Sequence, residues 1–242
     1  MIKIIEYTKN PLQMMGMYAG KCYGTLNPKL FKRIAEQCLV EDHGRVQEFV
    51  GIGLEFSGYS AKVIREIFRH KMMSELQAST RYIDYTKQFD YIIPPSIENN
   101  EQAKDIWQKH MCDVAKTMQE LKDKNIPTED FSNVLPLSYE TNGVIKVGLR
   151  ELIHMFGVRA CSCAYHEARK FMSDIKKAVI TLDDEQWIWI AKNYFVPKCE
   201  KLLYCEEEKR WHLCKRKPKK SQVEKWISEK MSIENWRNEN EN

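Results

Sequence analysis

Between residues 50 and 68 the hydrophobic pattern of the chain changes period, and that switch limits the folds open to it. Val50, Ile52, Leu54 and Phe56 alternate with smaller or polar residues, the period of a half-buried strand, until Gly58-Tyr59-Ser60 breaks the alternation. From Ala61 onward Val63, Ile64, Ile67 and Phe68 fall on one helical face, ending near Arg69-His70. A strand that runs through a tight turn into a helix, and from there into the most polar stretch of the chain, calls for a sheet with helices laid against it.

The flanking segments agree. Ile2 and Ile4 suggest a short N-terminal strand, and Asn142 to Val147 alternates again. Behind the Pro94-Pro95 loop, Ile106, Trp107, His110, Met111, Val114, Met118 and Leu121 recur at three and four, which predicts an amphipathic helix. Leu149, Leu152, Ile153, Phe156, Ala160, Cys163, Ala164, Phe171 and Ile175 mark one stripe and predict a single long helix. Asp183-Asp184-Glu185 reads as an acidic helix start before Trp187, Ile190, Ala191 and Tyr194. The expected fold class is α+β, a mixed or antiparallel sheet packed by long helices in a single domain over residues 1–197. Residues 198–242, rich in Cys, Lys and Glu, read as a loosely packed polar tail.

With 43% hydrophobic residues in 242, the chain has enough apolar side chains for a real core. Its 38 Lys and Arg against 34 Asp and Glu leave a net charge of +4, so bulk electrostatics forces neither a nucleic-acid nor a membrane role, and an anion site must be local. Nucleic acid is not an expected partner, although Lys215 to Lys220 forms a basic run. Residues Met1 to Asn10 lack the apolar stretch of a signal peptide, and no window approaches a membrane span, so the expected location is cytoplasmic. In that compartment the eight cysteines stay reduced and serve mostly as small hydrophobes. Cys199, Cys205, His212 and Cys214 are potential soft ligands, but spacings of five, six and one intervening residues lack the paired knuckles of ordinary zinc sites, and no metal is assigned. The ten glycines form neither a dinucleotide fingerprint nor a phosphate loop, so side chains must hold any nucleotide cofactor.

Two constellations carry candidate chemistry. Arg69 to Tyr82 supplies cations, hydroxyls, an amide and an imidazole within fourteen residues, a set suited to a phosphorylated ligand, although a charge run of this kind is more often a solvated loop. On a helical wheel through residues 149 to 171, Arg150 and His154 share a face, while Arg159 projects near Leu152 and Cys163 at the edge of the apolar stripe. A guanidinium there needs either an internal carboxylate, with Glu167 and Glu48 as candidates, or a ligand anion.

These residues also resemble a family. Arg69-His70-Lys71, seven residues, Ser79 and then Arg81-Tyr82 is similar to the signature of flavin-dependent thymidylate synthases. His43-Gly44 with Glu48, Gly58-x-Ser60, Val134-Leu135-Pro136, Glu140-Thr141-Asn142 and Arg150 to Arg159 resemble further blocks of that family in order and spacing, over roughly residues 1–180. The resemblance implies an FAD enzyme that methylates dUMP to dTMP with methylenetetrahydrofolate and NADPH, as a homotetramer whose active sites are shared between subunits. By position, Arg69, His70, Lys71, Gln77, Arg150 and His154 are expected to hold FAD. Glu66, Arg69, Gln77, Ser79, Arg81 and Arg159 are expected to bind dUMP, with Arg159 at the uracil edge favouring ionisation at N3. Departures from the family pattern are Lys71 for Arg, Glu66 for Gln, Leu76 for Asn, Arg45 for Ser or Thr, Gly148 for Asn, and Ser132 where an arginine binds dUMP. They keep open two alternatives: a divergent paralogue acting at C5 of another pyrimidine nucleotide, and a non-catalytic nucleotide- or nucleic-acid-binding relative.

Overall fold

The computed structural model describes residues 1–87 and 89–229. In chain order its elements are β1 (Ile2–Tyr7), α1 (Pro11–Cys22), α2 (Pro28–Val40), α3 (Gly44–Gln47), β2 (Gly51–Ser60), α4 (Ala61–Ile67), β3 (Met73–Gln77), α5 (Pro95–Glu98), α6 (Glu101–Asp123), α7 (Thr128–Phe131), β4 (Glu140–Gly148), α8 (Leu149–Arg159), α9 (His166–Ile180), α10 (Glu185–Tyr194) and α11 (Lys198–Leu202). The four strands form one antiparallel sheet in the order β1-β2-β4-β3, which gives the α+β class. Ile52 lies opposite Val147 and Leu54 opposite Ile145, so their side chains share the face that packs on Phe156, Phe171 and Ile175. The opposite face carries exposed side chains, with Leu76 72% and Ile5 53% accessible.

Several elements differ from the sequence expectation. Gly58 to Ser60 does not end the strand. The register with β4 shifts between Phe56 and Tyr59, and Gly58 takes a positive φ of 77°, so the strand bulges and continues to Ser60. The polar stretch after His70 contains β3, which hid from periodicity because Glu75 and Gln77 share the inward face while Leu76 points out. Helices α1 and α2 lie outside the sequence expectation, although Phe31, Ala35, Cys38 and Leu39 recur at helical spacing in α2 and Asn27-Pro28 opens it with a capping side chain. They pack backbone to backbone at Gly16, where a Cβ would lie 1.8 Å from the Phe31 carbonyl oxygen.

The single long helix expected from residue 149 is broken. α8 ends at Arg159 and α9 begins at His166. Between them the Ser162 and Ala164 carbonyls accept from Arg169 Nη1 at 2.8 and 2.6 Å, which satisfies groups the helix leaves unpaired. The hydrophobic stripe crosses the break because both helices return to the same core. A second, smaller core of Phe89, Met111, Val114, Met118, Phe131 and Tyr139 gathers around α6.

In residues 198–229 no side chain is fully buried, but this part is not featureless. α11 touches α8, Glu208–Leu213 forms a 3₁₀ helix, and Cys205 bridges to Lys219. Among the described residues no helix is long and apolar enough to cross a membrane.

Candidate active site

The β2–α4 corner is fixed from beneath. Ser60 is both the last residue of β2 and the N-cap of α4, its Oγ accepting from the Val63 amide at 3.2 Å. The buried Glu167 carboxylate accepts from the Ser60 amide and hydroxyl, both at 2.6 Å. α4 is thereby aimed so that Glu66 and His70, at and just beyond its end, face the C-terminal end of α8.

There Arg159 projects from the last turn of α8 with 19% of its side chain exposed. Its Nε donates to His70 Nε2 at 3.3 Å, Nη1 to the Glu66 carboxylate at 3.2 Å, and Nη2 to the Glu66 carbonyl at 3.0 Å. The partner is therefore neither Glu167, which holds Ser60, nor Glu48, which accepts from Arg150 Nη1 at 2.5 Å and from Arg45 at 2.8 Å. Three hydrogen bonds leave two of the five N–H groups of the guanidinium free for a ligand.

The imidazole of His70 is oriented from its other side, where Nδ1 lies 2.8 Å from Glu151 Oε1. Because Nε2 accepts from Arg159, the proton belongs on Nδ1 and is donated to Glu151. Burial, opposed by the Glu151 carboxylate, holds the His70 pKa below its ordinary value, which suits a neutral ring. His154 stands edge-on to it, ring centroids 5.4 Å apart. Ligating atoms of His70, Glu151 and His154 all lie within 4.8 Å of one another. Both His70 nitrogens are already committed, however, and Arg159 brings a fixed positive charge to the same place, so the group works as a hydrogen-bond relay. Glu151 went unremarked in the sequence, although its position three residues before His154 puts both on one helix face.

The other predicted residues occupy different ground. Arg69 and Lys71 flank His70, exposed, and neither meets a carboxylate among the described residues. Arg150 is packed against Gly44, where a Cβ would come within 2.6 Å of its Nε. Gln77, Ser79 and Arg81 lie at the far end of β3. Gln77 Nε2 donates to Thr141 Oγ1 at 3.0 Å and to Tyr139 OH at 3.4 Å, Ser79 Oγ accepts from the Arg81 amide at 3.3 Å, and Arg81 pairs with Glu129 at 2.8 Å. At about 3.3 Å per residue, β3 itself spans roughly 13 Å from Met73 to Gln77. Ser132 is buried in its 3₁₀ turn, its hydroxyl directed at the Glu129 carbonyl, and offers nothing to a ligand.

Taken together, the arrangement has one half-buried arginine braced by an imidazole and a carboxylate, exposed cations beside it, and a second polar group at the far end of an edge strand. Among curated relatives, the flavin-dependent thymidylate synthase of Pyrococcus furiosus is 27% identical over 218 residues, which covers 85% of this chain and 89% of that one. That of Geobacter sulfurreducens is 26% identical over 188 residues, covering 74% and 81%. Among solved structures, thymidylate synthase X from Helicobacter pylori, described with FAD and dUMP, superposes with a TM-score of 0.59 at 18% identity over 80% of this chain and 98% of that one. A sequence model of the thymidylate synthase complementing protein family matches residues 3–182, and the chain belongs to that family.

Proposed function

We propose that this chain is a flavin-dependent thymidylate synthase, converting dUMP to dTMP with FAD, the methylene carbon of methylenetetrahydrofolate and a hydride from NADPH. The observation that carries this reading is Arg159, held by His70 and Glu66 with two N–H groups left to present to a ligand. The relatives named above, and the description of the Helicobacter pylori structure with FAD and dUMP, support the cofactor and the nucleotide.

The donor set fits a flavin dinucleotide. Arg69 and Lys71 are exposed cations without carboxylate partners among the described residues, ready for phosphate oxygens, and the exposed His154 offers its ring and nitrogens beside them. Arg150 and Gln77 complete the assignment by position, each from an anchored pose. When bound, FAD supplies the redox chemistry that takes hydride from NADPH and reduces the transferred carbon. The protein's part is electrostatic. Arg159 places positive charge at the pyrimidine edge, favours the N3-ionised form and so enriches C5 in electron density. Ser79 and Arg81 grip the nucleotide, with Arg69 and Glu66 contributing. Glu66, in the place of a common Gln, keeps its carboxylate on Arg159, which shields an incoming phosphate from it.

Because Ser79 and Arg81 stand across β3 from Arg159, a nucleotide touching both sets fits a site shared between subunits of a homotetramer, and exposed Leu76 and Ile5 on the bare sheet face support such assembly. The buried Ser132 favours a second reading, in which another pyrimidine nucleotide is modified at C5. Purified protein incubated with FAD, then assayed for tritium release from C5-labelled dUMP with NADPH and methylenetetrahydrofolate, tests both. Release with dUMP supports the first reading, release from another labelled nucleotide alone supports the second, and failure to take up FAD overturns both.

A further inference from the structure

Five of the eight cysteines, Cys161, Cys163, Cys199, Cys205 and Cys214, line one cavity of about 240 Å³ on the side of α8 that faces the tail. They come from three separate stretches of chain: the break between α8 and α9, the α11 region, and the turn after the 3₁₀ helix. Within the break Cys161 Sγ accepts from the Cys163 amide at 3.5 Å, and α11, which carries Cys199, packs on α8. Cys163 Sγ points toward the Arg210 carbonyl, 4.0 Å away. Read linearly, the tail cysteines lack the spacing of a metal site; folding adds Cys161, which the spacing argument never included.

The tail also has a mechanical need. Residues 198–229 hold a defined course although none of their side chains is fully buried. A segment of that size without a core is ordinarily held by a cross-link or a metal. The match to the family model ends at residue 182, before the tail begins.

We propose that Cys161, Cys199, Cys205 and Cys214 bind one soft divalent ion of the zinc class, stapling the tail to the break between α8 and α9. Four thiolates around such an ion sit about 2.3 Å from it, at tetrahedral angles, and binding releases their four protons. The thiols line the cavity without meeting at a point, so binding requires their side chains to turn toward the ion. The resulting complex carries two negative charges. Lys198, Arg210, Lys215, Arg216 and Lys217 line the same cavity and, after their ion pairs with Glu206, Glu207 and Glu200, still leave net positive charge beside it. Disulfides would join the thiols two by two and leave one of the five over, whereas one ion explains why three segments converge on a common centre.

The test is metal analysis of the full chain purified without chelator, together with the variants Cys199→Ser, Cys205→Ser, Cys163→Ser and Cys38→Ser. The expected result is about one zinc per chain, lost in Cys199→Ser and Cys205→Ser but kept in Cys163→Ser and Cys38→Ser. Cobalt in place of zinc should give the strong visible and thiolate charge-transfer bands of a tetrahedral sulfur site. Where a variant loses the metal, limited proteolysis should cut after Pro197 while the body keeps its circular dichroism, which separates loss of the staple from failure to fold. The proposal is overturned if the protein carries no metal and takes up no added zinc, if zinc stays in Cys199→Ser and Cys205→Ser, or if the intact mass shows these thiols joined as disulfides.

Discussion

The two ends of β3 handle cationic side chains in opposite ways. At the Met73 end, Arg159 is half-buried and spends three hydrogen bonds on His70 and Glu66, with Glu151 bracing the imidazole. At the Gln77 end, Arg81 is 64% exposed and pairs with the solvated Glu129. The first end is held by its own hydrogen bonds, so its charge is already positioned; under the proposed function it needs no reorganisation when negative charge develops. The second is loosely held, since an exposed ion pair of this kind is worth well under about 1 kcal/mol, and exchanging Glu129 for a phosphate costs little.

That contrast predicts different failures. Arg159→Ala should lower tritium release from C5-labelled dUMP by about 10²- to 10³-fold while flavin absorbance persists; loss of the flavin would show that Arg159 holds the cofactor instead. Arg81→Ala should raise the KM for dUMP about 10- to 100-fold, the loss of a charge-assisted contact, and leave the melting temperature unchanged. A melting loss equal to that of Arg159→Ala would erase the difference between the two ends. Glu167→Ala removes the acceptor for both Ser60 donors and should cost about 1–3 kcal/mol in a thermal melt, with kcat falling because α4 aims Glu66 and His70.

The smallest effect is on pH. The folded-state pKa of His70 is depressed by burial, so between that value and the ordinary 6.5 the unfolded chain holds a proton that the native one lacks. Stability should therefore fall as pH drops below about 6.5, and denaturant titrations should show a shallower fall for His70→Gln. His166, likewise depressed by burial, retains part of the slope.

Much of the body was legible because its periods are clean. The β2-to-α4 switch, the α6 stripe and the acidic cap at Asp184 follow directly from residue order, Asp184 accepting from the Gln186 and Trp187 amides. β3 was not legible, because a strand with Glu75 and Gln77 inward and Leu76 outward inverts the pattern that periodicity detects. The break at Ala160 was hidden for the converse reason: the apolar stripe runs on across it. At the site, the odd position of Arg159 was visible on a wheel, but its partner was not, since Glu66 meets it across 93 residues of chain. The spacing of single residues also concealed the thiol-lined cavity, which exists only once the break brings Cys161 to the tail.

Had residues 149–180 formed one continuous rod, Arg159 would sit mid-helix, beside amides and carbonyls that cancel one another. Ending α8 at that residue places the guanidinium at the negative pole of the helix macrodipole, a field that favours a cation there by about 0.3–1 kcal/mol. A six-residue interruption thus changes the electrical surroundings of an arginine without altering any of its neighbours in sequence, and tuning this charge by mutation need not touch the arginine at all.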